Sequence, residues 1–344
     1  MDERIIEQLE NVPYKEWGDK NALEAIKSLI DEKDELYGWN YKEYEWDRLN
    51  YEFDRIKELG IEKVILFAWS LSCLAEKERV NCAFLGMEGC SFVLSELISS
   101  TFSKIKFDLP FERFFSEHRK FLPTFSVYVE KGGKGKILKG LYEEYGKSLF
   151  IKPKDSDDVY FTSGKPFDSE LIKETIIIAK ENQEAYEESV SILTMRELTK
   201  LGYYSFAITE VEKIEYSVDS YITEQIVLEK KKELFDDCYR REIEEFSLIE
   251  ELKPYLSYTE NKLIYQEQFL EILNKVFDIS YSMADYYRRE LGKKNKETIK
   301  PLKEIIMRKF PKNGEKLFEY LYKVVPYSVS KAYVIACLQY KIEE

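Results

Sequence analysis

The apolar residues in the first third of the chain recur at helical spacing. Between residues 21 and 36 they fall at Leu23, Ile26, Leu29 and Ile30. Positions three and four apart share one helix face, so this segment predicts an amphipathic helix. The next segment keeps the same period and stops at Gly60, a residue type that often ends helices. The apolar run VILFAWSLSCLA predicts a buried helix, and it extends a helical region that we predict over residues 1–122.

The pattern changes after residue 122, where short alternating runs replace the helical period. In TFSVYVE the residues Phe125, Val127 and Val129 share one face. The runs KSLFIKP and DDVYFTSG are rich in β-branched and aromatic residues and are bounded by turn residues. Alternation of this kind is typical of strands with one buried face. We therefore predict a small antiparallel β meander over residues 123–167, inserted near the middle of the chain.

The helical period returns at Asp168, a residue type that commonly caps helix N-termini. The span 203–218 fits two structures: Ile214 and Tyr216 alternate as in a strand, yet the apolar positions also fit a helical period. We favour a long helix there, within a C-terminal helical region over residues 168–344. The predicted fold class is mostly α, a multi-helical array with one small antiparallel β meander.

The charge of the chain bears on its partners. Its 344 residues carry a formal net charge of -13, and the pI is about 5.0. Because an acidic body repels phosphate groups, we expect nucleic acid to be an unlikely partner except through a local basic patch.

The cysteine and histidine content indicates the compartment and the metal chemistry. The five cysteines are odd in number and form no C-x-x-C pair, which argues against a disulfide framework and excludes a zinc ribbon. The longest apolar run is too short to cross a bilayer, so we expect a cytoplasmic protein without membrane association. A single histidine excludes a multi-histidine metal centre, and we predict neither a metal nor a cofactor.

That histidine, His118, follows Arg113 in the stretch ERFFSEHRKF. The spacing resembles the R-x4-6-H signature of the HEPN ribonucleases. The resemblance covers these two residues, and Phe114 stands where a polar residue is typical of the family. It implies a metal-independent ribonuclease, in which Arg113 and His118 of two protomers meet at the cleft of a homodimer. There they would activate the ribose 2′-hydroxyl and stabilise the phosphate.

Helical geometry favours a different interpretation of the same residues. On an ideal helix, side chains five positions apart point about 140° away from each other, since a turn holds 3.6 residues. His118 then lines up with Phe114 and Phe121, and Arg113 lines up with Glu117 in an i,i+4 ion pair. We therefore favour a histidine packed against aromatic rings or at an interface, and we keep catalysis by Arg113 and His118 as the alternative.

A stretch rich in glycine and lysine, EKGGKGKILKG at residues 130–140, is a candidate anion site. Glycines let a backbone approach a phosphate, and lysines supply positive charge. The stretch lacks the G-x-x-x-x-G-K-[ST] order of a P-loop, and a solvated hairpin turn is its ordinary interpretation. The candidate anion-binding residues are Lys131, Lys134, Lys136 and Lys139.

The segment at residues 36–56 carries two stripes if it is helical. One stripe is apolar and suits the core. The other combines tyrosine and arginine, the residue types that dominate interface hot spots. A helix packed between two others is the alternative interpretation. The candidate partner-binding residues are Tyr41, Tyr44, Arg48, Tyr51 and Arg55.

Together these features predict a non-enzymatic helical interaction or regulatory protein with a protein partner, with a homodimer as a further option. Abundant Tyr, Phe, Ile and Lys suit a low-GC bacterium or one of its phages. In that setting we expect an immunity, anti-defence or defence component. The enzymatic alternative is the HEPN-like ribonuclease.

Overall fold

The structure of the chain is a computed structural model. The described residues are 3–10, 12, 14, 16–38, 40–98, 107, 109–123, 125–145, 150–152, 159–161, 172–178, 186–191, 197–198, 204, 206–216, 223–235 and 245–343.

Helices dominate the described residues, as the sequence predicts. The α-helices are α1 (Glu3–Glu10), α2 (Ala22–Tyr37), α3 (Glu43–Leu59), α4 (Glu62–Lys77), α5 (Phe92–Leu97), α6 (Gly133–Tyr145), α7 (Glu224–Phe235), α8 (Lys253–Leu256), α9 (Gln266–Phe277), α10 (Tyr281–Gly292), α11 (Lys296–Lys309), α12 (Gly314–Val324) and α13 (Lys331–Gln339). Short 3₁₀ turns lie at Met87–Cys90, Phe111–Arg113, Glu250–Leu252, Ser257–Thr259 and Val325–Tyr327. Among these described helices, none has the length and apolar character needed to span a membrane.

The N-terminal helices begin and end where the local sequence indicates. Asn21 caps α2, and its side chain and that of Glu24 form a reciprocal capping box. The residue after α2, Gly38, and the residue after α3, Gly60, both adopt left-handed φ of 61°, a conformation that costs glycine little. The predicted helix over the apolar run is α4, which is largely buried.

The described strands form one seven-stranded sheet and one two-stranded sheet. The strands are β1 (Cys82–Phe84), β2 (Ser126–Glu130), β3 (Phe150–Lys152), β4 (Val159–Phe161), β5 (Ile172–Ile178), β6 (Tyr186–Ser191), β7 (Ala207–Val211), β8 (Lys213–Tyr216) and β9 (Tyr340–Glu343). The large sheet has the order β1-β2-β7-β4-β3-β6-β5, and β8 pairs with β9.

The predicted antiparallel meander over residues 123–167 is therefore wrong in its extent and its topology. Strands β2, β3 and β4 do fall in that span, but β2 pairs in parallel with β7 and β3 pairs in parallel with β6. Parallel neighbours need long crossover connections, so this sheet draws strands from a much longer part of the chain.

Two segments that we predicted as helices are strands. The run that ends in Ile176–Ile178 belongs to β5, where β-branched side chains suit an extended backbone. The span 203–218 contains β7 and β8 instead of a long helix, since Ile208 and Ile214 are buried at strand positions. The predicted cap, Asp168, lies outside the described residues.

The glycine-rich stretch is the start of a helix instead of a hairpin turn. Gly132, with φ of +79°, forms the tight turn that follows β2, and α6 begins at the next residue. Ile137, Leu138 and Leu141 are buried at helical spacing, which explains why the segment continues as a helix.

Apolar side chains form two large core clusters. The first combines α2 to α6 with the strands β2 and β7 and with residues of α13. The second lies entirely within residues 246–325. The predicted domain boundaries at residues 122 and 167 stay predictions.

A buried carboxylate ties α3 to the start of α5. Glu52 is fully buried, and its carboxylate accepts hydrogen bonds from the hydroxyl of Ser91 at 2.8 Å and from the backbone N–H groups of Phe92 at 2.9 Å and Val93 at 3.0 Å. Arg48 donates to the same carboxylate at 2.6 Å. These contacts satisfy backbone donors that a helix N-terminus leaves without intrahelical partners.

Replacing Glu52 with glutamine is expected to lower the free energy of unfolding by about 3 kcal/mol, because the neutral amide loses charge-assisted hydrogen bonds in a buried site. Urea unfolding would measure the change. The exposed Asp54, on the same helix, supplies the matched control Asp54→Asn, which should change stability by less than about 0.5 kcal/mol. Equal effects of the two substitutions would contradict the capping role.

Candidate phosphate-binding site

Arg113 is buried at the contact between its own 3₁₀ turn and α10. Its side chain is 4% exposed, and its Nη1 lies 3.0 Å from Oδ1 of Asp285. Its Nη2 donates to the amide oxygen of Gln266, and its Nε lies 3.7 Å from Glu267. The flanking Phe111 and Phe114 are fully buried and hold the turn in the core.

Asp285 is the centre of an arginine cluster. Its side chain is fully buried on α10. Arg288 lies 3.0 Å from Oδ1, and Arg119 and Arg289 each lie 3.2 Å from Oδ2. Residues three and four positions apart share a helix face, which places Arg288 and Arg289 beside Asp285. We call Arg113, Arg119, Arg288 and Arg289 the arginine cluster.

The arginine cluster carries more positive charge than its carboxylates balance. Among the described residues, its four guanidinium groups make ion pairs with two carboxylates, those of Asp285 and Glu267. The contacts of Arg119 and Arg289 with Oδ2 of Asp285 are ion pairs without hydrogen-bond geometry, because that oxygen has no hydrogen-bond donor among the described residues. Positive charge therefore accumulates at this place in an acidic protein.

The pKa values reflect this crowding of charge. Burial lowers the pKa of Arg288 to about 9, and Arg113 adds repulsion that Asp285 only partly offsets. Burial likewise lowers the pKa of Arg119 to about 10. Burial opposes ionisation of Asp285, but the surrounding guanidiniums, Arg119 first, hold the pKa of that carboxyl well below its usual value. Guanidinium groups stay protonated in proteins, so the lowered pKa values of Arg288 and Arg119 indicate that their positive charges are unfavourable at this place. A bound anion would offset that repulsion.

The arginine cluster has a buried base and an accessible edge. Arg113 is almost completely enclosed, whereas the side chains of Arg119, Arg288 and Arg289 are 21%, 15% and 20% exposed. Arg113 therefore fixes Asp285 in place, while Arg119 and Arg289 also donate to the backbone oxygens of Arg113 and His118. Planar guanidiniums match the oxygens of a phosphate group.

The side chains of the two residues in the ribonuclease hypothesis contact different partners. The 3₁₀ turn Phe111–Arg113 ends at Phe114, so the predicted helix that continues through His118 is wrong. Glu117 pairs with Arg55 at 2.8 Å instead of Arg113. The His118 ring packs against Tyr286, with ring centroids 5.6 Å apart, and its backbone oxygen accepts a hydrogen bond from a guanidinium of the cluster.

The predicted partner-binding residues are mostly engaged within the chain. Tyr41, Arg48, Tyr51 and Arg55 each contact a carboxylate, whereas Tyr44 is 52% exposed. The carboxylate partners are Glu96 for Tyr41, Glu52 for Arg48, Glu112 for Tyr51 and Glu117 for Arg55. Their role in binding a partner stays a prediction.

The predicted anion-binding lysines surround the start of α6. Lys131 pairs with Glu212 at 2.8 Å, and Lys139 lies 3.7 Å from Glu143. Lys136 is exposed. The place where an anion would bind is filled by a carboxylate of the chain, since the backbone N–H groups of Gly132 and Lys134 both donate to Glu210.

Sequence reasoning missed Asp285 and its helical neighbours. The local signal is the stretch DYYRRE, in which one aspartate precedes two arginines at i+3 and i+4. That pattern is common on solvated helices. The contact with Arg113, which lies 172 residues earlier, distinguishes this site from an exposed ion pair.

Two family models match parts of this chain. Residues 24–152 match the bacterial DNA polymerase III alpha NTPase domain, and residues 221–314 match the bacterial DNA polymerase III alpha subunit finger domain. Each matched segment contributes two arginines to the cluster. The cluster therefore joins the two segments that resemble polymerase domains.

Curated relatives agree with these matches. The chain is similar to DNA polymerase III subunit alpha of Staphylococcus aureus strains Mu50, N315 and COL, at 28% identity over 91 residues in each case. The aligned region is 25% of this chain and 8% of each relative, so it spans less than a tenth of the relatives' length.

These findings overturn the functional predictions from sequence. Both the defence-related interaction protein and the HEPN-like ribonuclease are wrong, because the matches point to DNA replication. Because Arg113 forms an ion pair with Asp285, the R-x-x-x-x-H spacing gave a wrong prediction of a ribonuclease site. The expectation that nucleic acid is an unlikely partner except through a local basic patch also conflicts with these matches.

DNA polymerases hold two divalent metal ions with carboxylates, so a metal pair in this chain would need clustered acidic side chains. Within the described ranges, no three His, Cys, Asp or Glu side chains come together as metal ligands. The buried carboxylate of Asp285 faces guanidiniums, and that of Glu52 accepts backbone N–H groups. The described residues therefore do not fit a metal pair.

Proposed function

We propose that this chain is a DNA polymerase III alpha-like replication protein whose arginine cluster binds the phosphate groups of a nucleotide or of DNA. The observation that carries the proposal is the cluster itself: four guanidiniums around one buried carboxylate, contributed equally by the two matched segments. The side chains of Arg119, Arg288 and Arg289 are partly exposed.

Charge and geometry support phosphate as the ligand. Arginine binds phosphate through paired N–H groups, and its charge persists in partly buried sites. The surplus positive charge of the cluster is unfavourable until an anion neutralises it. A bound phosphate would supply the negative charge, so phosphate binding should raise the free energy of unfolding.

The proposal includes protein partners. The relatives are named as a subunit, which places them in an assembly with other chains. We propose that this chain likewise works beside other replication proteins and that it contributes binding of the phosphate-bearing substrate.

Titration with two phosphate sources tests the proposal. Purified chain is mixed with fluorescein-labelled primed DNA in one experiment and with a deoxynucleoside triphosphate in another, and affinities are measured by anisotropy and by calorimetry. Binding of either source supports the proposal and identifies the source. Absence of binding to both at 50 mM salt overturns it.

For DNA, the salt dependence gives a further expected result. Each phosphate neutralised by a cation contributes about 0.9 to the slope of log affinity against log salt concentration. Three accessible arginines therefore predict a slope of about −3. A slope near zero would show that DNA binds without the cluster, by contacts that do not involve phosphate.

A further inference from the structure

A second candidate site lies in a cleft that shares no residue with the arginine cluster. The cleft has a volume of about 520 Å³, and it lies between α4, α6 and the residues Tyr14, Glu16 and Trp17. Trp17 and Trp69 form one wall, with ring centroids 4.9 Å apart. Tyr145 forms another wall, and its hydroxyl is held 2.9 Å from that of Ser70. The walls are therefore aromatic and fixed by contacts within the chain.

The rim of the cleft is acidic. Glu16, Glu143 and Glu144 line it together with Lys77, and all four side chains are exposed. Glu143 also pairs with Lys139 at 3.7 Å, so three carboxylates and two ammonium groups leave the opening with a net negative charge. An aromatic pocket with an acidic rim suits a cation, because aromatic faces attract cations and carboxylates pair with them.

We propose that this cleft binds the guanidinium group of an arginine in a protein partner. A guanidinium is planar, so it can stack on the indole of Trp69 while its N–H groups donate to the carboxylates of the rim. Phosphate-bearing ligands are repelled by the same rim, so this site and the arginine cluster select opposite charges. The inference stands independently of the proposed phosphate site.

The test compares three short peptides that differ at one position. Acetyl-Gly-Arg-Gly amide is titrated into the chain, with citrulline and lysine versions as controls, and tryptophan fluorescence and calorimetry report binding. Citrulline keeps the shape of arginine without its charge. We expect the arginine peptide to bind about 10-fold more tightly than the citrulline peptide, in line with a desolvated cation–π contact. Equal affinity for arginine and citrulline, or for arginine and lysine, overturns the proposal.

A matched pair of variants separates the cleft from the overall negative charge. Glu16→Gln with Glu143→Gln removes two carboxylates from the rim, and we expect the affinity for the arginine peptide to fall about 10-fold. Glu297→Gln with Glu304→Gln removes two exposed carboxylates from α11 and should leave the affinity unchanged. Equal losses in the two double variants would show a general effect of net charge and overturn the proposal. Both double variants should still bind nucleotide or DNA, so failure here is distinguishable from failure of the phosphate site.

Discussion

Replacing Arg288 and Arg289 together with alanine is expected to lower the affinity for nucleotide or DNA about 100-fold or more. Each charge-assisted hydrogen bond to a phosphate contributes about 1.5–3 kcal/mol, and the double variant loses at least two. Arg113 and Arg119 still pair with Asp285 in the variant, so the fold should persist. Anisotropy and calorimetry measure the loss.

The control for this variant removes the same charge elsewhere. Lys296 and Lys300 are exposed on α11, and their joint replacement with alanine also lowers the net charge by two. We expect that variant to bind within about 2-fold of the original chain, because exposed cations contribute little at physiological salt. Similar losses in the two double variants would contradict a specific site at α10.

Replacing Asp285 with asparagine is expected to cost about 3–5 kcal/mol of the free energy of unfolding. The substitution preserves shape but leaves four guanidiniums without their central carboxylate, and an uncompensated buried charge is strongly destabilising. Urea unfolding measures the effect. The exposed Asp278, which has a positive φ that asparagine also tolerates, gives the control Asp278→Asn. Added phosphate should recover part of the lost stability of the Asp285 variant, and equal stability of the two variants would contradict the central role of Asp285.

The same residue predicts how stability depends on pH. The pKa of Asp285 is lower in the folded chain than in the unfolded chain. Its contribution to the free energy of unfolding is therefore fully present above the unfolded pKa of about 3.9. It is lost as pH falls through the lower folded value. Below about pH 4, stability should therefore fall more steeply with acid in the original chain than in Asp285→Asn. Parallel acid profiles would contradict the assignment.

The sequence predicts the N-terminal helices well because their signals are local. The apolar spacing of α2 and the left-handed glycines after α2 and α3 are decided within about 20 residues. Strand β7 was missed because its partners in the sheet, β2 and β4, are distant in sequence. Ile208, for example, pairs with Val127 in parallel, and no local period indicates that contact.

For the same reason, the sequence indicated only part of the candidate site. The sequence indicates Arg113 but predicts the wrong partner for it, because the segment forms a single 3₁₀ turn and not the helix that the pairing with Glu117 requires. Asp285 gave no signal, since an aspartate followed by arginines on a helix usually faces solvent. Burial and the contact across 172 residues distinguish the site, and both depend on tertiary structure.

The parallel pairing of β2 with β7 also has a consequence for how the chain acquires its structure. The two strands are separated by about 80 residues, from Glu130 to Ala207, and β7 lies between β2 and β4 in the sheet. During synthesis on the ribosome β2 emerges before β7, so the backbone N–H and C=O groups on the β7 side of β2 stay unpaired until β7 is made. Such non-local contacts form slowly. A truncation before residue 207 should therefore aggregate on expression, because an unpaired strand edge recruits other chains.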